Sequence, residues 1–257
     1  MQILGVDIGG SGIKAAPVDT ATGELLAPRH RIPTPSPSKP KAVAGVVGDL
    51  VEHFDWRGPM GCGFPSVIQN GIVRTAANVH NRWIDMDAVK LFSKVNDGPV
   101  FMVNDADAAG MAEMKFGAGR GKLGTVIMIT IGTGLGSAVF THGRLVPNTE
   151  FGHVITWKGE AETIASDAAR KRERLSWKKW GRRFNRYLKY MHSLFWPDLF
   201  VLGGGVAKKF EKFEPYINVE SPVVPASFQN EAGIVGAALV AAQRIQDVQE
   251  YQAAQAV

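Results

Sequence analysis

The sequence predicts two related α/β lobes, each carrying one glycine-rich hairpin. A strand, a glycine turn and a second strand occupy residues 2–18. The same unit returns roughly 125 residues later, at 125–140. Mixed strands and helical segments follow each copy, and an Ala-rich amphipathic helix closes the chain at 231–246. With 257 residues, 45% of them hydrophobic, the chain can bury a core for one large domain or two small ones.

Residues 2–8 (QILGVDI) form an apolar strand that Gly9-Gly10 stops, and 13–18 resume as its hairpin partner. Residues 24–32 read as a third strand. Four prolines within 33–41 impose a loop. A helix follows over 42–54, with Val43, Val46, Val47, Leu50, Val51 and Phe54 at helical spacing. Residues 59–64 and 100–103 are strands; the second ends at Asn104-Asp105, before an Ala- and Met-rich helix at 106–116. Residues 125–131, the turn 132–136 and residues 137–140 form the second hairpin. A long basic helical region then leads to a strand at 199–202, to Gly203-Gly204-Gly205 and to a helix from about Val206.

The composition is that of an ordinary globular protein, with a net charge of +5. One cysteine, Cys62, excludes an intramolecular disulfide framework and a Cys-rich zinc site, and a reducing cytoplasmic setting is expected. The longest uncharged stretch, 123–143, holds five Gly and four Thr, which suits a strand–turn–strand rather than a membrane span. No membrane association is expected. The first strand begins at once, so no N-terminal DNA-binding module is expected.

The first turn reads Asp7-Ile8-Gly9-Gly10-Ser11-Gly12-Ile13-Lys14. Its glycines let backbone N–H groups approach an anion, Asp7 suits a hydrated Mg²⁺, and Lys14 suits a phosphate. A plain hairpin accounts for the same glycines equally well. The second turn, Gly132-Thr133-Gly134, offers another cradle with a hydroxyl added. It lacks the Gly-Lys-Ser/Thr of a P-loop and the spacing of a dinucleotide fingerprint. The third, Gly203-Gly204-Gly205, suits a flat ligand lying on the backbone, or simply a tight strand-to-helix turn.

Taken in order, DIGGSGIK, Asn104-Asp105, TIGTGLGSAVF, TEFGH at 149–153 and LGGGVAKK resemble the ROK family of sugar kinases and regulators. That resemblance implies two RNase H-like lobes of the actin/hexokinase/Hsp70 superfamily with an interlobe cleft. It implies a first lobe of 1–106, with a closing helix of about 231–250 packing back on it, and a larger second lobe of 107–230. It further implies Asp105 as the base that accepts a sugar hydroxyl proton, although Asn104 or Asp105 would also serve as a helix cap. Asn104, Glu150 and His153 resemble sugar ligands. Glu162, with Glu160 as its competitor, resembles a further sugar-binding glutamate, and Ser66 and Asn78 resemble sugar-contacting loop positions. Asp7, Gly9, Gly10, Ser11, Gly12, Lys14, Gly132, Thr133 and Gly134 would hold phosphate, with Mg²⁺ at Asp7. The third turn resembles the family's adenosine site. In related kinases the histidine matching His153 also binds zinc with three cysteines; those cysteines are missing here, so no structural zinc is expected. A homodimer is implied.

The excess charge is concentrated. Residues 168–190 hold ten Lys/Arg and one acid, Glu173, or +9 in 23 residues, and the rest of the chain carries −4. Leu175, Trp177, Trp180, Phe184, Tyr187, Leu188 and Met191 recur at helical spacing, predicting a buried aromatic face and a break near Gly181. A solvated outer face fits poorly, because like charges at i, i+4 repel. Nucleic acid is disfavoured, because the aromatics needed for stacking lie on the buried face. A basic insert in place of the zinc cysteines resembles the family's polyphosphate-using glucose kinases. Lys178, Lys179, Arg182, Arg183 and Arg186 are then expected to carry polyphosphate, with Lys208 and Lys209 extending the track, and glucose is the expected acceptor. ATP is the alternative donor.

Overall fold

The computed structural model describes residues 1–77, 79–156, 158–228 and 231–255. They divide into two compact units, Met1–Ala112 with Glu231–Val257, and Glu113–Asn230.

The first unit opens with β1 (Gln2–Ile8), β2 (Ile13–Asp19) and β3 (His30–Ile32), then α1 (Pro40–His53) and β4 (Met60–Phe64). A small hairpin of β5 (Ile68–Gln69) and β6 (Ile72–Val73) leads to α2 (Ala88–Phe92), β7 (Val100–Asn104) and α3 (Asp105–Phe116). The sheet order is β3-β2-β1-β4-β7, antiparallel from β3 to β1 and parallel from β1 to β7. The strand expected over 24–32 shortens to β3. Leu25 makes only an isolated bridge to Val18, and Pro28 brings no N–H to a ladder. Val6, Ile8, Val47, Leu50, Phe64, Trp83 and Phe92 form a core from which solvent is excluded.

In the second unit come β8 (Val126–Ile131), β9 (Leu135–Thr141) and β10 (Arg144–Val146), then the hairpin of β11 (Ile155–Thr156) and β12 (Gly159–Glu160). Helices α4 (Ala161–Ala165), α5 (Asp167–Arg172) and α6 (Trp177–Phe195) follow, then β13 (Leu199–Gly203) and β14 (Val223–Pro225). The order β10-β9-β8-β13-β14 repeats the first sheet, again antiparallel on one side of the first strand and parallel on the other. The duplication predicted from the two hairpins is therefore a duplication of whole sheets.

Two helical boundaries differ from expectation. The basic segment does not break at Gly181; it breaks after Arg172, where Arg174 adopts φ 51° and Ser176 caps α6 by accepting from Lys179 N–H. Gly181 lies inside the helix. A side chain there would sit 3.2 Å from Phe213 and Tyr216, so this glycine admits a packed neighbour rather than a bend. The helix expected from Val206 is a short 3-10 segment, Ala207–Lys212, with Lys209 outside helical dihedrals.

The chain ends in α7 (Ala232–Gln255), which belongs to the first unit and packs on β1, β4 and β7. Gly5 and Gly61 let the α7 backbone rest directly on the strands; a Cβ at either would collide with a carbonyl of the helix.

Candidate active site

In the first unit, β7 delivers Asn104 and Asp105 to the start of α3. Asn104 is the cap: its Oδ1 accepts from Ala106 N–H at 2.8 Å and Asp107 N–H at 3.1 Å. Its Nδ2 donates to the Ser66 carbonyl at 3.2 Å, leaving one amide hydrogen for a ligand. Asp105 is thereby relieved of capping and sits half-buried in the first turn, where the helix dipole favours a carboxylate. Ser66 Oγ is buried without a hydrogen-bond partner among the described residues. A buried hydroxyl left without a partner is costly, and it points to a polar ligand. Asn78 lies outside the described residues.

The first glycine turn closes with Gly9 N–H donating to the Gly12 carbonyl at 3.1 Å. Asp7 and Lys14 face each other across β1 and β2, with Nζ and Oδ2 3.0 Å apart. Two residues that the sequence reading passed over hold this turn: Thr34 Oγ donates to the Gly9 carbonyl, and Arg31 Nη2 donates to the Ser11 carbonyl at 2.6 Å.

In the second unit, Gly132 N–H donates to the Gly134 carbonyl at 3.0 Å, and the Gly132 carbonyl accepts from Ala168 N–H at 3.3 Å. The turn is thus tied to the start of the basic segment. Glu162 lies over Gly134, where any side chain would strike its carboxylate. His153 Nδ1 is 3.3 Å from Glu160 Oε2, and its Nε2 is 3.9 Å from Glu150 Oε2. His153, Glu160 and Glu162 bring ligand atoms within 4.8 Å of one another, so both candidate glutamates join the same cluster. Burial raises the Glu150 pKa; His153 opposes that rise and Glu162 adds to it. Desolvation disfavours the proton on His153, but the Glu160 hydrogen bond and the charges of Glu162 and Glu150 outweigh it and raise its pKa.

The Glu150 segment is held by a residue missed from sequence. Ser137, buried in β9, accepts from Phe151 N–H at 2.9 Å and donates to the Thr149 carbonyl at 2.7 Å. A serine inside an apolar strand was the available signal.

Each turn contains one glycine with no internal reason to be glycine. A Cβ at Gly10, Gly132 or Gly205 would meet nothing within 4 Å, and none of the three has a positive φ. Bare backbone at the apex of three turns leaves room for a ligand to approach the N–H groups. Gly204 differs: it has φ 77° and presses on the Ile131 backbone. Beside the third turn lies a cavity of about 340 Å³ lined by Gly204, Ala207, Lys208, Phe210, Pro225 and Ala226, among others.

On α6 the predicted aromatic face is buried: Trp180, Phe184, Tyr187, Leu188 and Met191 have no exposed surface. Lys178, Lys179, Arg182 and Arg186 are exposed, and 178, 182 and 186 align at i, i+4. Lys178, Lys179 and Arg182 make no ion pair among the described residues. Arg183 is different. It forks onto Glu173 (Nη1–Oε1 3.0 Å, Nη2–Oε2 2.9 Å) and donates to the Ile164 carbonyl at 3.1 Å. It is an inward clamp rather than part of the exposed row.

A duplicated five-stranded sheet with a glycine turn after its first strand defines the actin/hexokinase/Hsp70 class. The model of the ROK family matches residues 3–163, and the chain belongs to that family. It is 45% identical over 237 residues to a polyphosphate glucokinase of Mycobacterium tuberculosis (strain CDC 1551 / Oshkosh), covering 92% of this chain and 89% of that one. It is similar to the structure of an inorganic polyphosphate/ATP-glucomannokinase from Arthrobacter sp. strain KM, with TM-score 0.90, 44% identity and coverage of 95% and 99%. A ROK family glucokinase from Streptomyces griseus, solved with glucose and AMPPNP, matches with TM-score 0.80 and 25% identity over 95% of this chain and all of that one.

Proposed function

We propose that the protein transfers the terminal phosphoryl group of inorganic polyphosphate to the 6-hydroxyl of glucose. The observation that carries this reading is the meeting of carboxylates and a glycine turn in one unit: Glu162 covers Gly134 while Gly132 stays bare. A sugar-binding cluster beside a bare-backbone cradle is what sugar phosphorylation needs.

Glu150, His153 and Glu162 are the glucose ligands proposed for the second unit, and Ser66 Oγ and the remaining Asn104 amide hydrogen are those proposed for the first. Asn78 is a further sugar contact. Asp105 accepts the 6-hydroxyl proton as that oxygen attacks the terminal phosphorus. The bridging P–O bond breaks, releasing glucose 6-phosphate and a polymer one phosphate shorter. Backbone N–H groups of Gly9, Gly10, Ser11 and Gly12 take the phosphate oxygens with Lys14, and those of Gly132, Thr133 and Gly134 do so at the second turn. Asp7 fits Mg²⁺ in the usual manner of one carboxylate plus substrate phosphates, since only one of its oxygens faces Lys14. When bound, the ion would neutralise phosphate charge. Beyond the terminal phosphate, the polymer runs along Lys178, Lys179, Arg182 and Arg186 toward Lys208 and Lys209. The exposed Tyr190, Leu194 and Trp196 at the end of α6 suit a homodimer, and the single buried cysteine suits a cytoplasmic setting.

A coupled assay of glucose 6-phosphate formation tests this. Polyphosphate should support turnover, and Asp105→Asn should lower kcat by about 10²–10⁴-fold with little change in either KM. Turnover with ATP alone would remove the polyphosphate reading. A second reading, ATP as an additional donor, is favoured by the cavity beside Gly203-Gly204-Gly205, which is within the size range of small-ligand pockets.

A further inference from the structure

The register of the first sheet sets Asp7 opposite Lys14 and Lys14 opposite Arg31, so three charged residues form one row across β1, β2 and β3. Asp7 pairs with Lys14 at 3.0 Å. Arg31 has no acidic partner among the described residues; its Nη2 donates to the uncharged Ser11 carbonyl. Two cations on neighbouring strands beside one acid are unfavourable unless an anion joins them. The guanidinium also occupies the notch left by Gly12, where a Cβ would collide with it. Gly12 is therefore glycine because Arg31 lies there, whereas Gly10, two residues earlier, is glycine with nothing near it.

The second turn shows the same arrangement with the opposite charge. There the first glycine, Gly132, is bare, and the second, Gly134, is covered by Glu162. Each lobe thus plants one charged side chain from elsewhere in the chain over one glycine of its turn. In the second lobe that side chain is an acid suited to the sugar; in the first it is an arginine suited to phosphate. One Nη2 hydrogen bond to Ser11 fixes the planar group, and the remaining N–H donors of the fork stay available.

We infer that Arg31 is a donor-binding residue whose guanidinium, seated on Gly12, contacts the phosphate held by the first glycine turn. This rests on the reading of that turn as a phosphate cradle. Arg31 acts at the reacting end of the polymer, so its effect should not depend on polymer length, unlike that of the α6 cations.

The test is steady-state kinetics of the full-length protein with glucose and either tripolyphosphate or long-chain polyphosphate. Arg31→Gln should raise the donor KM about tenfold or more, as expected for a lost charge-assisted hydrogen bond, and by a similar factor for both donors. The glucose KM should stay within twofold of the parent. Arg31→Lys should recover part of the loss. Gln can still donate to the Ser11 carbonyl but carries no charge, so a purely structural arginine would make Gln and Lys equivalent, with losses tracking thermal stability. Gly12→Ala, which displaces the guanidinium, should resemble Arg31→Gln and add little to it in the double variant. An Arg31→Gln donor KM within twofold of the parent overturns the inference. Gly10→Ala separates the two readings, since its methyl enters open space. If Gly10→Ala raises the donor KM and Arg31→Gln does not, only the Arg31 assignment falls. If Gly10→Ala has no effect, the cradle reading falls and the Arg31 assignment falls with it.

Discussion

His153 gains its proton affinity from neighbours rather than from burial, which opposes it. Its titration should therefore report on the cluster. By NMR the His153 midpoint should lie above the ordinary imidazole value near 6.5, and Glu160→Gln should move it back down by removing the charge and weakening the hydrogen bond. Because the folded-state pKa is raised, the associated stability is complete below the unfolded value and is lost as pH rises through the folded value. An unchanged midpoint in Glu160→Gln would mean the two groups do not interact in solution. At this scale the sequence was informative where chemistry repeats a motif: Asn104-Asp105 and the glycines fall at strand ends or turns, and Glu150 and His153 bound a short 3-10 segment. It was silent on Arg31, Thr34 and Ser137. These act on the site through hydrogen bonds to backbone groups 12 to 25 positions away, which short motifs do not encode. The competition between Glu160 and Glu162 was also undecidable from spacing. Both lie at the β12–α4 junction, so one hairpin brings the two carboxylates to the same imidazole.

Helix α6 carries out two tasks on opposite faces. Its inner face is an aromatic cluster: Trp180 stacks on Phe184 at 5.0 Å and meets Phe213 edge-on at 4.9 Å. Trp180 Nε1 also donates to the carbonyls of Ala165 at 3.0 Å and Ser166 at 3.2 Å, fixing the joint between α4 and α5. Trp180→Phe keeps an aromatic ring but leaves both carbonyls without that donor, and should cost about 1–3 kcal/mol in urea unfolding. A loss under a few tenths of a kcal/mol would show that water replaces the indole. The helical period of the aromatics made this face legible in advance. The break position was not, because Gly181 is a turn signal in sequence and a packing device in the fold. The actual break depends on Arg183 reaching back to Glu173, a pairing ten positions apart that no i, i+4 rule anticipates.

Across the whole molecule the duplicated hairpins announced the duplicated sheets, since strand–turn–strand units survive as local signals. The short strands β5, β6, β11 and β12 did not, because two residues carry no periodicity. The cations concentrated in the sequence at 168–190 include an exposed row on α6, Lys178, Arg182 and Arg186. The triple substitution Lys178→Gln, Arg182→Gln, Arg186→Gln should raise the polyphosphate KM and flatten its dependence on salt, with the glucose KM nearly unchanged. The effect should grow with polymer length. A salt dependence identical to the parent's would make this row a solvated surface only. One further consequence comes from α7. The second unit is continuous in sequence and is complete once residue 230 is synthesised. The first, whose sheet strands precede it in sequence, lacks the helix that covers β1, β4 and β7 until α7 has followed the second unit out. On the ribosome, therefore, the order of maturation runs against the order of synthesis: the half whose strands are made first finishes after the other, holding one face of its sheet uncovered while the second unit is made.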